Sequence, residues 1–475
     1  MAEPIDQYGL QWVEGRHGFS TEPKWTRYPH PGILEAIVRE VLQLDLSPSC
    51  RIHLEGSGSY NRMYGVQTDK AYYVFRVTLP VDPYFKTASE VATLKWLHQN
   101  TDIPVPKVLA HEASSHNELG FEWMLLEYKP GTPLRKKWRD FSMEVKTNII
   151  KQLAAYQAQL YGKKFAAVGN LYMRRDDTSI APDARMSVQT FTGTSSSTND
   201  SSKPPASVLQ KIVKKLGHSQ YSPPVFEMGP IVSSIFFHDE NVNLGIPRGP
   251  FKSSEEWISN HLAALLASQE IIAEKAAFVQ EVEQAHKVKA VAQQAFALVS
   301  DIFKTKKPEE TSLVHRDLTL DNILVTDQGD ISAIIDWEAV PCLPAWRAAS
   351  MPSLLRGPVR KEKPNARNFK NFNDAKTLDD PTLPEVLYSS RNTYWAQVFE
   401  HEKTLLRDVY EQEMSKLQPS WAKERKAGII KMSFFSGLDN AHIPRGCEIF
   451  REWLTCYKVI GDKIWNIDER IYGGL

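Results

Sequence analysis

The sequence predicts an α+β protein: a small strand-rich part over residues 51–128 followed by a large, mainly helical part over 129–475. Three observations carry that expectation. From Arg51 to Tyr128, short β-branched and aromatic runs are separated by Gly, Pro and Asn/Asp turns, the pattern of strands. From Glu144 onward, apolar residues recur at helical spacing in several long stretches. Inside the helical part, Ile323–Val325 and Ile331–Ile335 flank Asp327-Gln328-Gly329-Asp330, which reads as a β-hairpin.

The composition is that of an ordinary globular chain, with 475 residues, 42% hydrophobic and 24% charged. Lys+Arg and Asp+Glu both number 57, so no global field favours nucleic acid or an anionic membrane. The four cysteines (Cys50, Cys342, Cys447, Cys456) are scattered and suggest neither a disulfide framework nor a zinc site, which fits a reducing compartment. The N-terminus has no basic region followed by an apolar run, and no apolar run approaches membrane-spanning length. The expectation is a cytoplasmic protein with no nucleic-acid or membrane partner.

Taken in order, residues 1–50 are expected to pack on the main fold as an extension. Residues 1–30 show no clear period, and Pro31 opens a helix with Leu34, Ile37, Val38 and Val41 on one stripe. Gly56-Ser57-Gly58-Ser59-Tyr60-Asn61 then joins two strands by a turn that lets backbone N–H groups approach phosphate oxygens. Asn61 tolerates a left-handed backbone there. Ala71–Leu79 is the next strand, with Val74 and Arg76 on one face. A helix begins near Thr87; its Glu90 is a natural partner for Arg76 and also completes a capping box with Thr87. The strand Phe121–Tyr128 ends at Lys129-Pro130-Gly131-Thr132.

Beyond a helix over 144–160, the Ser/Thr/Asp/Pro-rich stretch 177–206 reads as a mobile surface insert. Phe236–Glu240 reads as a solvated loop rather than a metal cluster, because its ligands are adjacent. Ser253-Ser254-Glu255-Glu256 is a capping box that opens two helices reaching Lys304. Residues 341–380 read as Pro-punctuated and charged loop, and helices return over 385–417, 423–435 and 447–472.

The hairpin gathers the candidate chemistry. If Thr326 faces Ile331, Asn322 pairs with Ile335 and sits beside Asp336, while Asp317 lies five residues upstream of Asn322. Two carboxylates and an amide at one open end suit phosphoryl transfer, with Asn322 and Asp336 on Mg²⁺ and Asp317 orienting and deprotonating a hydroxyl. His315-x-Asp317-x-x-x-x-Asn322 has the spacing of a kinase catalytic loop, and Asp336-Trp337-Glu338 stands where kinases carry Asp-Phe-Gly.

Together these residues resemble the aminoglycoside phosphotransferase family from about Leu54 to Ala345. The resemblance rests on Gly58-Ser59-Tyr60-Asn61-Arg62, Ala88–Leu94, Ile103–Leu109, Leu126-Glu127-Tyr128, His315–Asn322 and Ile335-Asp336-Trp337. It implies a bilobal protein-kinase-like fold, ATP and Mg²⁺ as cofactors, and a small-molecule hydroxyl as acceptor. It places Gly56, Gly58 and Ser59 at the phosphates, Val74 over adenine, and Arg76 with Glu90 on phosphate. Glu127 and Tyr128, with Lys129, offer backbone groups to adenine at the interlobe hinge. Pro247–Phe251 resembles fungal members whose acceptor is unassigned. Arg76 replaces the usual lysine, and no Ala-Pro-Glu segment follows Asp336, which favours a small acceptor over a protein. A non-catalytic nucleotide-binding protein on the same fold would accommodate Arg76, Asn61 and Glu338, but would not need Asp317, Asn322 and Asp336 together.

Overall fold

Alternating apolar residues on five short runs build an antiparallel sheet in the order Cys50–Ser57, Asn61–Thr68, Tyr72–Thr78, Glu122–Glu127, Val108–Glu112. The computed structural model describes residues 7–15, 21–45, 49–174, 224–305, 308–365 and 394–471; the 177–206 insert and part of the 341–380 loop lie outside them. The chain divides into two compact units. One comprises Met1–Gln99, Pro106–Tyr128 and Asn170–Gly245, and the other Asn100–Val105, Lys129–Gly169 and Ile246–Leu475.

The sheet belongs to the first unit. One of its faces is covered by the helix Pro31–Val41, whose Leu34, Ile37 and Val38 bury against Val66, Phe75, Val77, Phe121, Trp123 and Leu125. Apolar area removed from water on that face is the main term holding the unit together. Pro31 occupies the first helical turn, where no backbone donor is lost, and His30 Nδ1 accepts from Gly32 N.

Three local expectations are corrected in this unit. The stretch without a clear period contains a hairpin, Leu10–Glu14 paired with Thr21–Trp25. The helix begins at Phe85 rather than at Thr87: Ala88 N donates to Tyr84 O, so Thr87 and Glu90 sit inside the helix and form no capping box. Phe236–Glu240 is a short helix, Ser234–Phe237, running into a 3₁₀ turn, with Phe236 and Phe237 buried; Thr21 bonds His238 and Asp239.

The second unit is mainly helical around an aromatic core that includes Phe303, Trp346, Trp421, Phe434, Phe435, Phe450 and Trp453. Ser253 caps the helix Ser254–Lys275 as expected: its hydroxyl accepts from Glu256 N, and Glu256 reaches back to Lys252 N. The stretch to Lys304 holds three helices rather than two, Ser254–Lys275, Val279–Phe296 and Val299–Phe303. After the hairpin, a short strand Cys342–Pro344 pairs with Thr311–Leu313, and the helix Ala345–Ala348 follows where loop was expected. The C-terminal helices are Tyr394–Leu417, Pro419–Ala427, Ile429–Asp439, Pro444–Ile460 and Ile467–Ile471. Gly461, at φ 57°, closes the fourth of these, a conformation that favours glycine. Among the described residues, no helix is long and apolar enough to cross a membrane.

Candidate active site

In the second unit, Ile323–Val325 pairs with Ile331–Ile334, and Thr132–Pro133 adds a third strand. The open end keeps the expected register, Ile323 opposite Ile334, and Ile335 N donates to Asn322 O at 3.0 Å. At the turn end a bulge after Leu324 shifts Val325 opposite Ile331, so Thr326 N bonds Asp330 O instead of pairing with Ile331. That slip is absorbed before the candidate residues, which lie at the other end of the ladder.

Asn322 holds Asp317 directly. Its Nδ2 donates to the Asp317 carbonyl at 2.8 Å and to the Asp317 carboxylate at 3.0 Å. Asp317 itself is exposed, and Thr319 N donates to its carbonyl at 2.9 Å, closing a tight loop. His315 braces that loop from below. It is buried, its Nδ1 accepts from Asp317 N at 3.3 Å, and its Nε2 lies 3.1 Å from Ile335 O. Those partners assign the proton to Nε2, since Nδ1 must accept. Burial lowers the His315 pKa to about 4, so the ring is neutral and orients rather than titrates. Trp337 packs edge-on to His315 at 4.7 Å and donates its indole N–H to Ile334 O.

Asp336 follows with φ 64°, a left-handed conformation uncommon outside glycine. Such a value at a site residue is a local cost that the surrounding structure must sustain.

The first unit carries the other candidates. Arg76, between Met63 and Met124 in the sheet, forms a buried ion pair with Glu90 of the helix Phe85–Asn100. Val74 shares that face and lies between Gly65 and Leu126. The turn Gly58–Tyr60 is closed by Gly58 N donating to Asn61 O at 2.8 Å. Asn61 is not left-handed; it starts the next strand, and its Oδ1 accepts from Thr78 Oγ1 at 2.9 Å and Lys86 Nζ at 3.4 Å. Its side chain therefore ties the turn to the strand and helix behind it. A Cβ built on Gly56 would meet nothing within 4 Å, and one on Gly58 only Asn61 O at 3.9 Å. Ser59 is exposed. Glu127 N is engaged by Lys107 O at 2.9 Å and Glu127 Oε2 by Lys107 N at 3.2 Å, so that N–H is not the one that could meet a base. Tyr128 is 42% exposed and stands edge-on to Tyr72.

The model of the phosphotransferase enzyme family matches residues 52–185 and 255–346, stretches that contain every one of these residues. The chain belongs to that family. A subtelomeric hrmA-associated cluster protein of Aspergillus fumigatus is 24% identical over 371 residues, which cover 69% of this chain and 62% of that protein. The chain thus spans less than two thirds of that relative's length. Altered inheritance of mitochondria protein 9 of Candida glabrata is 31% identical over 145 residues, 25% of this chain and 22% of that protein. A solved structure of a putative aminoglycoside phosphotransferase from Ralstonia eutropha aligns at 14% identity, covering 89% of this chain and 98% of its own, with a TM-score of 0.39.

In this phosphotransferase-family chain the sequence reasoning missed one support of the catalytic loop. Arg135 grips Asp321, the residue before Asn322, through Nε at 2.7 and 2.8 Å, and its N–H donates to Leu320 O. Nothing local signals that pair, because 186 residues separate its members. Among the described residues Asn322 holds Asp317 and accepts from Ile335, the residue before Asp336, in one unit, and Arg76 pairs with Glu90 in the other.

Proposed function

We propose that this chain transfers the γ-phosphoryl group of ATP to a hydroxyl of a small molecule. The observation that carries the reading is the Asn322 clamp on Asp317, which keeps an exposed carboxylate fixed at the mouth of the loop. A carboxylate so held can align an acceptor hydroxyl and take its proton while the hydroxyl oxygen bonds to the γ-phosphorus and the bond to ADP breaks.

The same clamp fits a Mg²⁺ ion. With Nδ2 turned to Asp317, Asn322 would have its Oδ1 left for a cation, and the Asp336 carboxylate would add a second hard oxygen donor. Among the described residues, no three His, Cys, Asp or Glu groups assemble around a metal, so the remaining ligands fall to phosphate oxygens and water, as Mg²⁺ prefers. When bound, the ion neutralises phosphate charge. Arg76, oriented by Glu90, supplies a cation to the nucleotide phosphates. Gly56 and Gly58 are not demanded by the chain's own packing, and their open space supports backbone approach to a phosphate.

The test incubates the full chain with ATP, Mg²⁺ and a broad metabolite pool, and compares it with Asp317→Asn. Wild type should yield a phosphorylated product and the variant none, while ATP binding persists in both. ATP binding without any product from wild type would remove the catalytic reading and leave a nucleotide-binding protein.

A further inference from the structure

Three arginines of the second unit converge beside the catalytic loop, and the hydroxyl-acceptor reading leaves them unused. Arg316 lies within the loop and is 3.5 Å from Asp439. Arg347, on the helix Ala345–Ala348, is only 4% exposed. Its Nη1 donates to Ser350 Oγ at 3.0 Å and its guanidinium lies over the Phe435 ring at 5.1 Å. Its Nε is buried with no hydrogen-bond partner among the described residues, and no carboxylate there pairs with it. Arg356 follows a 3₁₀ turn joined to the loop by Leu354 N donating to Leu318 O at 2.9 Å, one residue past Asp317.

The charges do not cancel. Arg347 feels Arg356 and Arg316 as like charges and Asp439 and Asp468 as opposite ones, three cations against two carboxylates. Burial pushes Asp468 up, while a hydrogen bond from Ser436 and the nearby Arg356, Arg347 and Arg425 draw it down. Burial lowers His261, which feels Asp439 and Arg316, to about 4, so that imidazole adds no charge; burial likewise lowers His442 beside Asp439. Burial and the neighbouring arginines bring Arg347 down to about 9, which leaves it cationic at neutral pH. A buried cation with an unfilled donor and no paired carboxylate is costly unless something completes it.

We propose that Arg347, Arg356 and Arg316 form the recognition site for an anionic group, a carboxylate or a phosphate monoester, on the hydroxyl compound this enzyme phosphorylates. The proposal rests on the phosphotransferase reading for the word acceptor, but not for the site itself. Planar guanidiniums suit both anions, and the cluster disfavours polycationic acceptors such as aminoglycosides.

Calorimetry on the full-length protein without nucleotide, using gluconate, ribose 5-phosphate, ribitol and kanamycin as probes, decides it. At least one anionic probe should bind tenfold or more tightly than ribitol, and the identity of that probe separates the carboxylate source from the phosphate source. Arg356→Gln and Arg347→Met should each reduce that affinity tenfold or more. Should Arg347→Met fail to fold, Arg356→Gln, at a half-buried position, still tests the site. Preference for ribitol or kanamycin, or anion affinity unchanged in a folded variant, overturns the proposal. Phosphorylation of neutral acceptors alone would overturn it and leave the phosphotransferase reading standing. Anion binding without ATP turnover would do the reverse.

Discussion

Removing either member of the Arg76–Glu90 pair tests the first unit in stability and activity together. Their side chains are 5% and 2% exposed, so truncating one strands the other's charge inside the sheet–helix contact. A buried pair broken on one side costs ~3–5 kcal/mol. Arg76→Met and Glu90→Leu should each lose about that much in denaturant unfolding of the full chain. The double variant replaces both charges with apolar volume beside Met63 and Met124 and should lose no more than either single one. The coupling energy is then ~3 kcal/mol or more. Activity follows a different rule: loss of a charge-assisted phosphate contact worth ~1.5–3 kcal/mol lowers kcat/KM roughly tenfold to a hundredfold. Arg76→Lys keeps the charge without the planar fork and should recover only part of it. Additive stability losses under ~1 kcal/mol each would refute the buried-pair argument. A kinetically silent Arg76→Met would leave the pair as a purely structural strut.

Three further outcomes are expected. Burial pushes the Glu122 carboxyl from 4.5 up to about 8, so the folded state keeps a proton that the unfolded chain gives up. Glu122's contribution to stability should be full below its unfolded value and be lost as pH rises through that window, by roughly 3–5 kcal/mol in all; Glu122→Gln should remove that part of the profile, as pH-dependent unfolding would show. Gly56→Ala and Gly58→Ala should leave the thermal midpoint nearly unchanged, since neither Cβ meets a close neighbour, yet weaken ATP binding in calorimetry if backbone approach matters. At Asp336, with φ 64°, replacement by Ala should cost ~1 kcal/mol more stability than replacement by Gly, while both abolish the Mg²⁺ dependence of nucleotide affinity.

What the sequence determined by itself is what neighbours in the chain enforce. Alternation and turn chemistry located four of the five strands, Val108–Glu112 being the one not read as a strand; the Ser253 cap, the Gly-rich turn and the hairpin around Asp327–Asp330 follow from hydrogen bonds spanning a few residues. Spacing alone also put Asn322 against Ile335 and beside Asp336, because register at the open end of a hairpin is set by pairing. The bulge at Val325 altered that register only toward the turn.

Tertiary structure decided every question of partner. Glu90 had two local readings, and burial opposite Arg76 chose the ion pair once the helix started at Phe85. Asn61 was expected to serve through its backbone, yet Thr78 and Lys86 engage its side chain. The neutral state of His315, the left-handed Asp336, the Arg135 grip on Asp321 and the buried Arg347 have no signature in the order of residues. Each depends on which groups are desolvated together, and desolvation is a property of the packed interior rather than of the chain's local sequence.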